Sequence, residues 1–399
     1  MSVTAPKGFR ASGVACGIKA GGALDLALVF SDQPCAAAGV FTTNWVKAAP
    51  VRYDQTLLAR RQMGFRAVVI NSGNANACTG PRGLSDVYAL VETAGFLLGV
   101  PPEAILVMST GVIGVPLPMD RLRAGLLAAV AALSEGGGEA AARAIMTTDT
   151  RPKMAFRRLN LNGVPVTLGA MAKGAGMIHP HMATMLALIT TDIAADPDRL
   201  DRLLREAVEE SFHRITVDGD QSTNDTVLLL ANGASGLALD ARTEPAFREA
   251  LTGLCLELAQ AIVRDGEGAT KFVEIRVQGA RTRAEARRIA RHIAASPLVK
   301  TAFYGADPNW GRILAAAGAA GVSLDPELLS LWIRRGDGHP LLLFDRGAPV
   351  PYLENEARAV FAAPAFQVIL DLRLGEAEDW VWTCDLSHDY VTINGRYRT

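Results

Sequence analysis

The chain has no C-x-x-C pair, and its five cysteines (Cys16, Cys35, Cys78, Cys255 and Cys384) are scattered over 399 residues. A sparse, odd set argues against a disulfide framework and for free thiols in a reducing compartment. No apolar run approaches the roughly 20 residues of a membrane span. The N-terminus also lacks the basic-then-apolar order of a secretory signal. A cytoplasmic location without a membrane partner is the expectation. Neither sign of charge dominates: 40 basic against 41 acidic residues leave a net charge of −1, which removes the electrostatic case for nucleic acid. The five arginines between Arg281 and Arg291 read as a solvated helix face. Histidine is scarce, at six. His179-Pro-His181 has no Cys or acidic ligand pattern beside it, so no metal site is expected.

What is present is an ordinary globular composition, 49% hydrophobic and 20% charged. The length suits two domains or one large layered domain. Residues 1–80 alternate short apolar runs with Gly, Pro and Asn, a pattern of strands and tight turns. Helical spacing appears over 85–99, 119–133 and 139–146, and the triple glycine at 136–138 reads as a turn between helices. Ala104–Met108 reads as a strand, and Lys153–Ala170 as a hairpin turning at Asn162-Gly163. A buried strand is expected over Thr184–Ile189 and a helix over Asp196–Phe212. Further helices are expected at Thr243–Arg264 and Thr282–Ala295, with strands near Thr226–Ala231 and Phe272–Val277. From about Leu329 onward the pattern reads mostly as strands. The interleaving lacks a βαβα rhythm, so a mixed, layered α/β architecture is expected.

The most informative stretch is Lys173-Gly-Ala-Gly-Met-Ile-His-Pro-His-Met-Ala-Thr184, followed by an apolar run. A glycine-rich approach bends freely, Ala183 is small, and Thr184 opens a run that reads as a buried strand. That layout suits a chain that cuts itself at Ala183–Thr184. A free N-terminal Thr carries its own base, an α-amine with a pKa of about 8. Ser109-Thr110-Gly111 follows a strand, and its hydroxyl and N–H suit either an oxyanion site or a simple strand-ending turn. Lys173 suits a carboxylate partner or a surface lysine. Met146-Thr-Thr-Asp-Thr150 suits a helix cap or a ligand site. Asp265-Gly-Glu-Gly-Ala-Thr-Lys271 lacks P-loop spacing, and Glu267 within it suits an ammonium group. Asn71–Asn76 and Asp218–Asp225 are polar loops whose roles spacing leaves open. The latter lacks the sixth-position Gly and twelfth-position Glu of an EF-hand.

These motifs together resemble the ornithine acetyltransferases (glutamate N-acetyltransferases) of arginine biosynthesis. The matching segments are K-G-A-G-M-I-H-P-x-M-A-T-M-L, I-M-T-T-D-T-x-P-K, N-S-G-N-A-N-A-C-T-G, D-G-D-x-S-T-N-D, D-G-E-G-A-T-K and P-N-W-G-R-I. A C-terminal C-D-L-S-x-D-Y-V-x-I-N extends the match to Asn394. The resemblance implies an α/β sandwich like that of N-terminal nucleophile hydrolases, with a further mixed α/β portion in the C-terminal half. It also implies self-cleavage into an α chain, 1–183, and a β chain, 184–399, assembling as a heterotetramer. Acetyl would pass from N-acetylornithine to glutamate by a ping-pong route. No cofactor is implied, and acetyl-CoA stays open as a second donor. By the same resemblance Thr184 is the nucleophile, Thr110 and Gly111 hold the oxyanion, and Thr147, Lys173, Thr184, Glu267, Asn394 and Thr399 contact substrate. The chain departs from the family at His181, where a small polar residue is usual, and at Gly395-Arg396 near the end. Two rivals remain on this evidence: a self-processing amidase or aminopeptidase, and an unprocessed amino-acid-binding protein.

Overall fold

The computed structural model describes residues 2–60, 63–179 and 185–396. Ala183, Thr184, His181 and Thr399 lie outside them. Two compact units are present, one built from Met1–His213 and Asp220–Ile262, the other from Arg214–Gly219 and Val263–Tyr397.

The first unit holds an eight-stranded sheet: β1 (Phe9–Val14), β2 (Leu26–Phe41), β3 (Phe65–Asn74), β4 (Ile105–Val112), β5 (Lys153–Leu161), β6 (Val164–Lys173), β7 (Leu186–Thr191) and β8 (Thr226–Ala231). Their order is β4-β3-β2-β8-β7-β6-β5, with β1 paired to β2. The 16-residue β2 changes partners midway. Its residues 26–30 pair with β1 and β3, whereas 36–41 pair with β8. Side chains from both parts of the sheet, such as Leu28, Val68, Met171, Leu188 and Leu228, meet in one core. The layered α/β expectation holds.

Local sequence accounts for these elements. The central parallel pair β7 and β8 is buried at every residue, as continuous apolar runs in a covered sheet should be. Edge strand β5 alternates instead. Asn162 (φ 52°) and Gly163 (φ 82°) both take the left-handed backbone that a two-residue hairpin turn needs, and they join β5 to β6 in register. Helices α1 (Ala49–Leu58), α2 (Gly80–Leu98), α3 (Met119–Ala131) and α4 (Gly138–Ala144) contribute Leu57, Leu90, Leu126 and Ala141 to the shared core. Helix α5 (Pro197–Glu210) buries Leu200, Leu203, Leu204, Ala207 and Val208 along one stripe. Asp196 caps it by accepting the Arg199 N–H at 2.9 Å, and losing such a cap costs about 1 kcal/mol. Helix α6 spans Glu244–Arg264.

The second unit is a six-stranded sheet of β9 (Phe272–Ala280), β10 (Ser330–Arg334), β11 (Leu341–Asp345), β12 (Ala348–Pro349), β13 (Ala365–Asp371) and β14 (Ala377–Cys384). Their order is β12-β11-β10-β13-β9-β14. Helices α7 (Arg283–Ala295), α8 (Pro297–Tyr304), α9 (Trp310–Gly318) and α10 (Glu354–Phe361) pack Ile289, Phe303, Ile313 and Phe361 against Ile275 and Val368. Helix α11 (His388–Asn394) follows β14.

Four expectations need correction. Within 1–80, which read as strands, α1 is a helix. Its Pro50 sits in the first turn, where a missing N–H costs nothing. The block after Leu329 contains helices α10 and α11 among its strands, each too short to display a long periodic stripe. The described part of the strand expected from Thr184 begins at Leu186. Of the five arginines in 281–291, Arg287 is not solvated: it pairs with Asp379 at 2.7 Å.

Candidate active site

Strands β6 and β7 bring the first group of candidates together. They form an antiparallel ladder ending at Lys173 opposite Leu186, so residues 174–185 are the connection between paired strands. Lys173 is 1% exposed, which discards the surface-lysine reading. Its Nζ lies 3.4 Å from Thr110 Oγ1 and donates to it.

Thr110 lies within β4, paired with Ser72 of β3, and is buried; β4 runs on to Val112, so Ser109-Thr110-Gly111 is strand and not the strand-ending turn expected. The neighbouring Gly111 has φ 131°, and a Cβ there would sit 2.3 Å from the Gly73 carbonyl carbon. Only glycine fits so close a backbone approach. Ser109 Oγ donates to Asn71 Oδ1 at 2.6 Å, and Asn71 Nδ2 donates to the Asn74 carbonyl at 2.8 Å. The polar end of β3 thus braces Ser109, Thr110 and Gly111 in the neighbouring β4.

Asp149 ties Thr147 to Lys173. Its Oδ2 accepts the Thr147 N–H at 3.0 Å, and its Oδ1 accepts Lys153 Nζ at 2.6 Å and the Gly174 N–H at 2.7 Å. Burial alone would push this carboxyl up. Lys173 and Lys153, with the Gly174 N–H, outweigh it and hold the pKa down to about 2. Lys19 joins the group, donating to the Met146 carbonyl at 2.6 Å and the Leu24 carbonyl at 2.9 Å. Burial lowers its pKa to about 8, against the pull of Asp25. Three lysines therefore gather around Asp149 and Asp25, leaving the cluster one positive charge in excess. Neither Lys19 nor Lys153 was singled out from sequence. Lys153 was findable as the last residue of I-M-T-T-D-T-x-P-K, whereas Lys19 stands in no motif.

The second unit assembles the other candidates. Glu267 is buried, and its Oε2 accepts Asn394 Nδ2 at 2.7 Å. The loop around it is clamped by the C-terminal motif. Asp385 accepts the Thr270 N–H at 2.8 Å and the Lys271 N–H at 2.9 Å, and Ser387 Oγ donates to the Gly268 carbonyl at 2.6 Å. Lys271 Nζ caps α8, donating to the Tyr304 carbonyl at 2.8 Å. Among the described residues no group of three or more His, Cys, Asp or Glu side chains could hold a metal ion. No described helix is long and apolar enough to cross a membrane.

With this geometry in view, comparison with known proteins is decisive. The ArgJ family model matches residues 10–399. The chain belongs to the ArgJ family. The arginine biosynthesis bifunctional protein ArgJ of Symbiobacterium thermophilum is 53% identical over 406 residues, spanning 100% of this chain and 98% of the relative. Its namesake in Thermosynechococcus vestitus is 48% identical over 413 residues, again spanning 100% and 98%. A solved ornithine acetyltransferase from Mycobacterium tuberculosis, complexed with ornithine, is 49% identical, with a TM-score of 0.41. It covers 45% of this chain and 94% of that one. Membership makes the chain an acetyltransferase of arginine biosynthesis.

Proposed function

We propose that acetyl moves from N-acetylornithine to glutamate through an acetyl ester on Thr184, formed after the chain cuts itself at Ala183–Thr184. The observation that carries this reading is the Lys173–Thr110 contact at the end of the β6–β7 ladder. It sets a buried cation and a hydroxyl at the end of β6, opposite Leu186 at the start of β7.

In processing, Thr184 Oγ attacks the Ala183 carbonyl carbon, the acyl group shifts from nitrogen to oxygen, and water hydrolyses the ester. The products are a carboxylate on Ala183 and a free amine on Thr184. That amine then takes the Oγ proton while Oγ attacks the acetyl carbonyl of N-acetylornithine. Thr110 Oγ1 and the Gly111 N–H hold the oxyanion, and donation from Lys173 Nζ leaves the Thr110 proton for that oxyanion. Such a donor contributes roughly 2.7–4 kcal/mol to barrier lowering. Ornithine leaves with a proton on its amine. Glutamate's amine then attacks the ester, and the proton returns to Thr184 Oγ.

The lysine group around Asp149 supports binding of the α-carboxylate common to both amino acids, with Thr147 beside it. Glu267, held by Asn394, supports recognition of ornithine's ammonium, and Thr399 completes the contacts carried by the resemblance. Acetyl-CoA as a second donor fits the word bifunctional in the relatives' names. We read the assembly as two α/β pairs, an interface of which would cover side chains such as Trp45, 96% exposed, and Phe96, 87% exposed.

The test is ornithine release from N-acetylornithine with and without glutamate, with the Thr184 peptide examined for an acetyl group. Glutamate-dependent release and an acetylated Thr184 are expected. Equal release without glutamate would favour the amidase.

A further inference from the structure

The loop before β8 has no part in the mechanism above, yet its hydrogen bonds end on both halves of the site. Asn224, 4% exposed, spends both amide protons on the first unit's backbone: Nδ2 donates to the Ser109 carbonyl at 2.8 Å and to the Ala75 carbonyl at 2.6 Å. Its Oδ1 accepts the Thr223 hydroxyl at 2.6 Å. Asp225 is fully buried, and its Oδ1 accepts the Met185 N–H at 2.9 Å. The Met185 carbonyl in turn accepts the Thr226 N–H at 3.2 Å. Met185 is thereby held at both its backbone groups.

The dipeptide is itself anchored. The Asn224 N–H donates to Ser222 Oγ at 3.1 Å, the Asp225 carbonyl accepts the Thr42 N–H at 3.0 Å, and the Thr223 carbonyl accepts the Ala48 N–H at 2.9 Å. Burial pushes the Asp225 carboxyl well above the usual carboxylate range, against the Met185 N–H and Lys173. One side chain thus grips the residue before Thr110 and the next grips the residue after Thr184.

We propose that Asn224 and Asp225 are the positioning pair of the acyl-transfer site, setting Met185 and the start of β7 against the Thr110-Gly111 end of β4. This rests on Thr184 as nucleophile. A displacement of about 1 Å between such groups costs up to roughly 100-fold in rate. Substrate binding, which falls to other residues, is expected to be spared.

The experiment uses the full chain as wild type, Asp225→Ala, Asp225→Asn and Asn224→Ala. It follows self-cleavage by denaturing mass spectrometry, kcat and KM for N-acetylornithine per cleaved molecule, and Tm. Asp225→Ala should slow self-cleavage and lower kcat at least roughly tenfold, with KM within about twofold of wild type. Asp225→Asn, whose amide oxygen accepts the same N–H, should restore most of both. If the alanine chain does not fold, Asn224→Ala carries the same prediction of a kcat loss without a KM change. The pair is overturned if folded alanine variants cut and turn over as wild type, if the loss falls on KM, or if Asp225→Asn is as poor as Asp225→Ala. A wild type that neither cuts nor transfers acetyl would instead overturn the nucleophile reading beneath it.

Discussion

Each unit of the molecule buries a carboxylate among cations, and the two clusters differ in what else the carboxylate holds. In the second unit Asp379 bonds Arg214 and Arg287, and the Arg214 guanidinium stacks 3.8 Å from the Trp380 ring centroid. Rigid guanidinium forks and an aromatic face make a closed, core-forming arrangement. In the first unit Asp149 bonds Lys153 but also the N–H groups of Thr147 and Gly174, so it orients two loops. Its other electrostatic partner, Lys173, reaches Thr110. A buried carboxylate tied to loop backbones positions a site, and one tied to arginines positions a core.

Breaking each cluster should give the largest effects and separate the two roles. Asp149→Asn and Asp379→Asn each leave buried cations short of a counter-charge, at a cost of roughly 3–5 kcal/mol measurable by denaturant unfolding. Only Asp149→Asn should also lower kcat/KM of the folded fraction. Equal catalytic losses in both would erase the distinction.

Acid should sharpen the comparison. The Asp149 pKa is held to about 2 against an ordinary 3.8. Its stabilisation is complete above the ordinary value and is lost as pH falls toward about 2, a difference of roughly 2 kcal/mol. The stability gap between wild type and Asp149→Asn should therefore shrink over that window. A gap that stays constant would contradict the assignment.

Smaller effects are expected within the second unit. Glu267→Gln removes the charge proposed to meet ornithine's ammonium while leaving an acceptor for Asn394. KM for N-acetylornithine should rise about tenfold, well above any change for glutamate, and equal changes would count against the role. Lys271→Met, losing the cap on α8, should cost about 1 kcal/mol of stability and leave both KM values unchanged.

Much of this was legible in the sequence because its signals are local. The β5–β6 hairpin is written in Asn162-Gly163, α5 in its leucine stripe and Asp196 cap, and the central strands in unbroken apolar runs. Helices α8 and α9 went unseen because eight or nine residues show barely two turns of periodicity. At the site, Lys173 was visible as a motif residue, but its burial was not. Asn224 could not be linked to Ser109 from sequence. A side chain bonded to a backbone carbonyl 115 positions away leaves no spacing to read.

In the proposed mechanism Thr184 becomes a free N-terminus and then carries the acetyl group. Denaturing mass spectrometry of freshly purified wild type beside Thr184→Ala tests it most directly. Two fragments meeting at Ala183/Thr184 are expected in the wild type, and one uncut chain in the variant. A wild type that stays whole, yet still transfers acetyl to glutamate, would contradict it.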